Sequence, residues 1–246
     1  MRVLVACEFS GAVRDAFTRR GHQAMSCDLR ASETPGLHYC GDVMDVIDGW
    51  MPVSYTRECD PSGSGDCRVS GRDVSSCMCI GPTQDGIEYK ETPTGLMGRP
   101  IDVPSWDILI AHPPCTHLAI SGARWFSGKK EQQEDALAFV SMLMQAPIKR
   151  IAIENPVSII NSRIRKPDQI IQPWWFGHEA RKSTCLWLKN LRKLKPTHVV
   201  DQGAIHVTES GKRIPEWYSK LPKSQRQEVR SQTFPGIAEA MATQWG

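Results

Sequence analysis

The sequence has no long hydrophobic run. Its 246 residues are 40% hydrophobic, and no apolar stretch approaches the roughly 20 residues that a membrane-spanning helix needs. The opening segment, MRVLVACEF, meets the charged Glu8 at once and lacks the length and the cleavage site of a secretion signal. We therefore expect a cytoplasmic protein with an ordinary hydrophobic core.

A strong excess of charge of either sign is also missing. The chain has 30 Lys and Arg against 27 Asp and Glu, which gives a formal net charge of +3. Such a mild positive charge is compatible with nucleic-acid binding but does not by itself indicate it. The length suits one α/β domain, alone or with a small insert, and we find no internal repeats.

Paired cysteines are not expected either, because their number is odd and no export signal precedes them. Reduced thiols, a metal site or catalysis are better explanations of so many cysteines. The nine cysteines are Cys7, Cys27, Cys40, Cys59, Cys67, Cys77, Cys79, Cys115 and Cys185.

Short apolar runs alternate with helical patterns through most of the chain. This alternation predicts an α/β fold with a mostly parallel, doubly wound sheet. Helices are predicted over 11–20, with Gly21 as the C-cap, over 134–146, and near the end from Pro235 onward. Strands are predicted over residues 2–7, 23–29, 38–43, 106–111, 150–155 and 182–191.

Residues 51–104 interrupt this alternation, because they are rich in Gly, Ser, Pro and Thr and poor in aliphatic periodicity. A structureless loop of that length is unusual inside a domain, so we interpret the segment as an insert between residues 1–50 and 105–246. Its four cysteines could bind a structural zinc ion or could remain flexible reduced thiols. They are Cys59, Cys67, Cys77 and Cys79, spaced C-x7-C-x9-C-x-C.

Polar residues directly follow several of the predicted strands, and in a parallel sheet these positions meet at one edge, where ligands bind. Asp28 ends the second strand, Asp42 follows the third, Cys115 follows the fourth and Glu154 ends the fifth. Cys115 could act as a nucleophile and Glu154 as an acid, or Cys115 could be inert packing and Glu154–Asn155–Pro156 the start of a turn. His112 and His117 flank the cysteine and could orient its loop, contact phosphate or serve only the local turn.

The segment CEFSGAVRDAF (7–17) places a glycine-containing turn between a strand and a helix. Such a turn can bring backbone N–H groups and a helix N-terminus close to a ligand. Asp28 lies at the end of the next strand, where a carboxylate can bind ribose hydroxyls. The pattern predicts a nucleoside-type cofactor, although Asp28 could instead be a loop acid or a helix cap.

Several of these motifs together resemble the DNA cytosine-5 methyltransferase family. Phe-Ser-Gly at 9–11, Pro-Pro-Cys at 113–115 and Glu-Asn at 154–155 follow one another in the order of that family's motifs. Residues 177–191 resemble its strand after the Gln-x-Arg-x-Arg motif, and FPGIAEAMA (234–242) resembles its closing motif. The similarity is greatest to short, phage-type methyltransferase-like proteins, and it implies a Rossmann-like, S-adenosylmethionine-dependent fold.

The resemblance implies a covalent mechanism. Cys115 would attack C6 of cytosine, and Glu154 would hold and protonate N3, so that C5 takes the methyl group from S-adenosylmethionine. Asn155 would position Glu154 or the loop that carries Cys115. In duplex DNA the cytosine would have to be flipped out of the stack.

The same resemblance assigns residues to the cofactor and to the base. The cofactor set is Phe9, Ser10, Gly11, Asp28, Asp42, Val43 and Pro113. The substrate set is Arg124, Lys182 and Thr184, with Lys182 also counted among the catalytic residues.

The chain departs from the family at three places. Lys-Ser-Thr at 182–184 stands where the family has paired arginines, Arg-Ser at 230–231 replaces Gly-Asn, and Asp28 replaces a glutamate. The target-recognition region is reduced to residues 190–230, and residues 189–230 carry ten Lys and Arg against four Asp and Glu. With Trp217 and Tyr218, this stretch suits phosphate contact and base stacking, or it is a solvated surface.

Three functions remain open on the sequence. The first is methylation of DNA at cytosine C5. The second is the same fold acting on RNA or free pyrimidine nucleotides, because the recognition region is so small. The third is a degenerate methyltransferase that only binds nucleic acid or a host protein.

Overall fold

Helices and strands alternate along most of the chain. The computed structural model describes residues 1–47, 50–52, 66–67, 72–73, 90–91, 97–100, 106–120, 128–219 and 221–246. Its helices are α1 (Ala12–Arg19), α2 (Val43–Ile47), α3 (Lys130–Gln145), α4 (Ile160–Arg163), α5 (Glu216–Ser219), α6 (Lys223–Ser231) and α7 (Pro235–Trp245). Its strands are β1 (Arg2–Ala6), β2 (Gln23–Asp28), β3 (His38–Cys40), β4 (Trp50–Pro52), β5 (Asp66–Cys67), β6 (Arg72–Asp73), β7 (Lys90–Glu91), β8 (Met97–Pro100), β9 (Ile108–Ala111), β10 (Arg150–Pro156), β11 (Gln169–Ile171), β12 (Thr184–Lys189), β13 (Ile205–Val207) and β14 (Arg213–Pro215).

Seven of the strands form one sheet in the order β11-β12-β10-β9-β1-β2-β3. The five strands from β10 to β3 are all parallel, and β12 runs antiparallel to both β10 and β11. The predicted α/β fold with a mostly parallel, Rossmann-like sheet is therefore confirmed. The prediction did not include β11 or the reversed direction of β12.

The two faces of the sheet are covered by different helices, because successive side chains of a strand point to opposite faces. Val3 and Val5 pack with helices α1 and α7 through Phe17 and Met241. Leu4 and Ala6 face the opposite side, where α3 contributes Leu137, Val140 and Leu143. Two hydrophobic cores thus cover the two faces of the sheet.

Local sequence signals set the ends of the two helices that pack beside β1. Helix α1 ends at Arg19 with Arg20 as its C-cap, and the next residue, Gly21, has a φ of 80° that suits glycine and donates its N–H to the carbonyl of Thr18. Pro235 occupies the first turn of α7, where its missing N–H costs nothing. The sequence predicted both helix ends, with the C-cap of α1 placed one residue too late.

The region predicted to be an insert contains only short strands among its described residues. β4 pairs antiparallel with β8, with Trp50 opposite Pro100 and Pro52 opposite Gly98. β7 also pairs with β8, and β5 pairs with β6. The pairing of β4 with β8 brings the two ends of the segment together, and its status as an insert remains a prediction. No helix of the described residues has the length and apolarity needed to cross a bilayer.

Candidate active site

The ends of β1, β9 and β10 are in register at one edge of the sheet. Ala6 pairs with Ala111, and Ala111 pairs with Ile153. The residues that follow these three positions therefore start at the same level, as the sequence predicted for a ligand-binding edge. The side chains of Glu8, His112 and Glu154 all lie at this level.

Cys115 lies on a loop that is tied down on both sides. The backbone N–H groups of Leu118 and Ala119 donate to the carbonyl of Cys115, which makes a tight turn after it. Before it, the carbonyl of Pro113 accepts a 2.7 Å hydrogen bond from Nδ2 of the buried Asn155. The cysteine is half-buried. Asn155 thus fixes the base of the loop.

Glu154 is a buried carboxylate with one direct partner on the cysteine loop. Its Oε2 lies 3.1 Å from Nδ1 of His112, and each of these side chains is 9% exposed. Burial would raise the pKa of Glu154, but the hydrogen bond to His112 and the charge of Lys182 outweigh it, with help from Thr184, so the pKa lies below its ordinary value. Glu154 is therefore ionised at neutral pH.

Lys182 lies at the same edge of the sheet, although the strand that follows it, β12, runs in the opposite direction. Because β12 runs antiparallel to β10, its first residues, and not its last, lie at the site edge. The Nζ of Lys182 donates to the carbonyl of Gln232 at 3.1 Å and lies 5.8 Å from the ring centre of Phe234. Burial lowers the pKa of Lys182, and the carboxylate of Glu154 opposes that effect.

The electrostatic surroundings of Cys115 favour the neutral thiol. Burial raises its pKa and the charge of Glu154 raises it further, whereas Lys182 and Arg230 lower it. Arg230, which the sequence marked as a departure from the family's motif and as part of the basic stretch, stacks over the ring of Tyr218 at 5.1 Å. The site thus contains two cations near the thiol, one of which was not predicted.

The N-terminus of α1 is closed by the chain's own carboxylate. Glu8 is 4% exposed, and its two oxygens accept the backbone N–H groups of Val13 at 2.7 Å and Arg14 at 3.1 Å. Burial raises the pKa of Glu8, and His112 is the largest influence that opposes this rise. The sequence predicted that these N–H groups would face a ligand, but Glu8 takes them instead.

Gly11 is required by the backbone and by its neighbours. Its φ is 74°, and a Cβ added to it would collide with the side chains of Thr34 and Arg14. Ser10, just before it, accepts a hydrogen bond from the N–H of Ala12 at its side-chain oxygen. The glycine of this motif therefore packs against protein atoms in the ligand-free chain.

Two carboxylates stand beside the end of β1, at the place predicted for a cofactor. The Oδ1 of Asp28 accepts the N–H of Arg30 at 2.9 Å, and the Oδ1 of Asp42 accepts that of Met44 at 2.9 Å. Burial raises the pKa of Cys7 to about 12, and both aspartates contribute to the rise. The negative charges of both aspartates therefore act on the end of β1.

The remaining predicted cofactor residues have different degrees of exposure. The ring of Phe9 is half-buried and carries the guanidinium of Arg30 at 3.8 Å from its centre. Val43 is 4% exposed and belongs to the hydrophobic core, and Pro113 is buried. Phe9 is thus the accessible member of this group, and the cofactor assignments remain predictions.

Arg14 is the largest feature of this region that sequence reasoning missed. Its side chain is 1% exposed, and its guanidinium bonds to Asp15, Ser26, Ser32 and Thr34 and to the carbonyl of Pro35. The network joins α1, β2 and the loop after β2. Its burial could have been predicted from its position, because Arg14 lies three residues before the buried Phe17 on the same helix face.

The basic stretch after β12 is only partly free to contact a ligand. Lys189 donates to the carbonyl of Ala146, Arg192 donates to that of Gln244, and Arg226 donates to that of Ser219. Trp217 packs edge-on against Tyr218 at 5.0 Å and against Phe234 at 5.3 Å. The aromatic residues thus lie beside Lys182, whereas several predicted phosphate contacts are used internally.

Some of the predicted site residues lie outside the described part of the chain. Arg124, Cys59, Cys77 and Cys79 fall outside the described residues, and of Cys67 only its position on β5 is described. Within the described part, no group of three or more His, Cys, Asp or Glu could hold a metal ion. The zinc site therefore stays a prediction from the sequence.

Comparison with known proteins shows only distant structural likeness. No protein-family model matches the chain, and no curated protein matches its sequence. Among solved structures, one similar chain is provisionally described as a DNA modification methyltransferase encoded within a prophage of E. coli. The two are 11% identical with a TM-score of 0.40, and the match covers 88% of this chain and 56% of that one. This chain thus spans little more than half the length of that protein.

Proposed function

We propose that the protein is an S-adenosylmethionine-dependent DNA methyltransferase that modifies C5 of cytosine through a covalent adduct with Cys115. One observation carries the proposal. A half-buried thiol, a buried carboxylate and a lysine meet at one edge of a parallel sheet, beside a separate group of acids at the end of β1. The first group suits the base and the second suits the cofactor.

Cys115 is the nucleophile in this proposal. Its thiol releases its proton to solvent, its sulfur bonds to C6 of the cytosine, and the electrons of the C5–C6 double bond shift through the conjugated ring toward N3. The charge of Lys182 favours the thiolate that must form, and it offsets part of the effect of Glu154. Attack leaves C5 nucleophilic. After methyl transfer, a solvent water acting as a base takes the C5 proton, the electron pair of the C5–H bond forms the C5–C6 double bond again, and the bond between C6 and sulfur breaks with its electrons leaving on sulfur.

Glu154 takes the role of holding N3. A protonated carboxyl group that donates its proton to N3 neutralises the negative charge that develops there during attack. Asn155 has no need to touch the base, because its bond to the carbonyl of Pro113 already fixes the loop that carries the nucleophile. Lys182 and Thr184 lie beside Glu154 and are the candidates for further contact with the cytosine.

The charges at the end of β1 fit a cationic cofactor. Glu8 occupies the N-terminus of α1, and Asp28 and Asp42 lie nearby, so a diphosphate would be repelled from the place where a dinucleotide binds. S-Adenosylmethionine carries a sulfonium charge and no phosphate, and when bound it supplies the methyl group. Asp28 can accept bonds from the ribose hydroxyls, and Phe9 can pack against the adenine or the methionine part.

Trapping with a fluorinated base tests the proposal. Fluorine at C5 cannot leave as a proton, so DNA containing 5-fluorocytosine should remain attached to the protein when S-adenosylmethionine is present. We expect a denaturant-stable adduct with the wild type and none with Cys115→Ser. Cys40→Ser is the matched control, because Cys40 is an exposed cysteine on β3, and it should form the adduct normally.

Other outcomes contradict the proposal in identifiable ways. An adduct on RNA or on free nucleotides but not on DNA would move the activity to another pyrimidine substrate. Binding of S-adenosylmethionine and DNA without any adduct would indicate a protein that binds without catalysis. An adduct that persists in Cys115→Ser would assign the nucleophile to another residue.

A further inference from the structure

The proposed function does not name the source of the proton that Glu154 gives to the base. Glu154 must deliver a proton to N3 of the cytosine, yet the charges around it keep this buried carboxyl ionised in the free protein. The proton therefore has to reach Glu154 from a group that can release one near neutral pH. Histidine is the ordinary side chain with that property.

His112 is placed between two acids by the sheet itself. It follows β9, which lies between β1 and β10, and its N–H donates to the carbonyl of Ala6 at 2.9 Å. Glu8 lies on the β1 side of it, and Glu154 lies on the β10 side. The imidazole is thus held where two strands each present a carboxyl group.

The ring of His112 is buried and only one of its nitrogens is engaged. Nδ1 lies 3.1 Å from Oε2 of Glu154 and 3.5 Å from the hydroxyl of Thr233. Nε2 is buried and has no hydrogen-bond partner among the described residues. A buried polar atom without a partner is costly and calls for an explanation.

We propose that His112 is the proton donor to Glu154, so that the two residues act as a relay to N3 of the target base. The inference rests on the proposed methyltransferase function. His112 is a positioning residue, because it acts on the base only through Glu154. Its Nδ1–H bond breaks and an O–H bond forms on Glu154, while the electron pair of the N–H bond stays on nitrogen.

Glu154 then gives a proton to N3, and the imidazole is left neutral. When the C5 proton is lost and sulfur leaves C6, N3 returns its proton by the same path. The other groups that influence the pair are Glu8 on the β1 side, and Lys182 and Thr184 on the β12 side.

A first test does not depend on activity. The imidazole signals of His112 can be followed by NMR as the pH changes, in the wild type and in Glu154→Gln. If the two residues share a proton, His112 should titrate at a lower pH in Glu154→Gln, because the carboxylate that stabilises the imidazolium is gone. An unchanged titration would overturn the relay, even if the protein methylates DNA.

A second test uses the rate of adduct formation with 5-fluorocytosine DNA. His112→Asn keeps an N–H donor close to the position of Nδ1 but cannot release a proton. We expect the rate at neutral pH to fall at least about tenfold and to recover as the pH is lowered, because solvent then protonates Glu154. His22→Asn, just before β2 at the opposite end of the parallel strands from the site, is the matched control and should keep the wild-type pH profile.

The remaining outcomes distinguish a failure of the relay from a failure of the proposed methyltransferase function. A wild-type rate in His112→Asn at every pH would reduce His112 to a hydrogen-bond donor and overturn the relay. A slow rate without recovery in acid, in a variant that still binds S-adenosylmethionine and melts normally, would also overturn it. If the wild type forms no adduct while the NMR titration shifts as expected, the proposed function fails and the shared proton stands.

Discussion

Asn155 donates a buried hydrogen bond of 2.7 Å to the carbonyl oxygen of Pro113. The bond connects the end of β10 to the loop after β9, which are adjacent parallel strands. Glu154 directly precedes Asn155, and Cys115 lies two residues after Pro113. This amide therefore helps to set the position of Cys115 relative to Glu154.

Removing that amide should loosen the cysteine loop. We expect Asn155→Ala to lower the free energy of unfolding by about 1–3 kcal/mol, because the buried carbonyl of Pro113 loses its partner. Urea denaturation measures the loss. Ser162→Ala, at an exposed hydroxyl, is the control and should change stability by less than about 0.5 kcal/mol. Equal stability of the two variants would contradict the role given to Asn155.

The reactivity of Cys115 should respond in opposite directions to its two charged neighbours. Glu154→Gln removes a charge that raises the pKa of Cys115, so iodoacetamide should alkylate the cysteine faster at pH near 8. Lys182→Met removes a charge that lowers this pKa, so alkylation should slow. Peptide mass spectrometry follows the rate, with the exposed Cys40 as an internal reference. Parallel changes in both variants would rule out this electrostatic control.

Two arginines on α1 should contribute very differently to stability. Arg14→Met removes the buried guanidinium and leaves its acceptors without a partner, so we expect a loss of about 3–5 kcal/mol. Arg19 pairs with Glu239 at the surface, where its side chain is 61% exposed, and Arg19→Met should cost less than about 1 kcal/mol. Urea unfolding of both variants gives the comparison, and similar costs would contradict it.

Glu8 and Glu154 should give stability opposite dependences on pH. The raised pKa of Glu8 means that its contribution is full below the unfolded value of about 4.3 and is lost as pH rises through the folded value. The lowered pKa of Glu154 means that its contribution is present above that unfolded value and is lost as pH falls through the folded value.

Urea midpoints across this pH range test both signs. Glu8→Gln should reduce the loss of stability on the alkaline side, and Glu154→Gln should reduce the loss on the acid side. The wild type should show both losses. Curves that run parallel to the wild type in either variant would show that the carboxyl group concerned titrates in the folded chain as it does in the unfolded chain.

The segment between β4 and β8 should be removable. Because Pro52 lies opposite Gly98, residues 53–97 can be replaced by an Asn-Gly turn of two residues. We expect the shortened chain to keep its fold and to lose any bound zinc, measured by melting temperature and by metal analysis. Cys115→Ser in the full chain should keep the same metal content. A shortened chain that does not fold would contradict the insert.

Most of the sheet could be predicted from the sequence, because its strands are short apolar runs that end at polar residues. The exception is β11, where Gln-Ile-Ile is too short to have a recognisable period. The direction of β12 was also out of reach, since periodicity does not indicate orientation. The order of the strands depends on contacts far apart in the chain.

The candidate site could be predicted where its residues directly follow strands, as Cys115 and Glu154 do. Glu8 was overlooked because its carboxylate bonds to backbone N–H groups, which every residue has. Arg230 reaches the site through the packing of α6, which no local pattern indicates. Such placements come from tertiary contacts.

The buried side chain of Arg14 has a consequence for comparing this chain with its relatives. Its bonds join α1, β2 and the loop after β2, and none of them involves Cys115 or Glu154. Under the proposed function, a relative that keeps Arg14 and Gly11 but has lost the cysteine should therefore fold and keep the predicted cofactor pocket without forming an adduct. Arg14 would then mark the architecture, whereas the pair of Cys115 and Glu154 would mark catalysis.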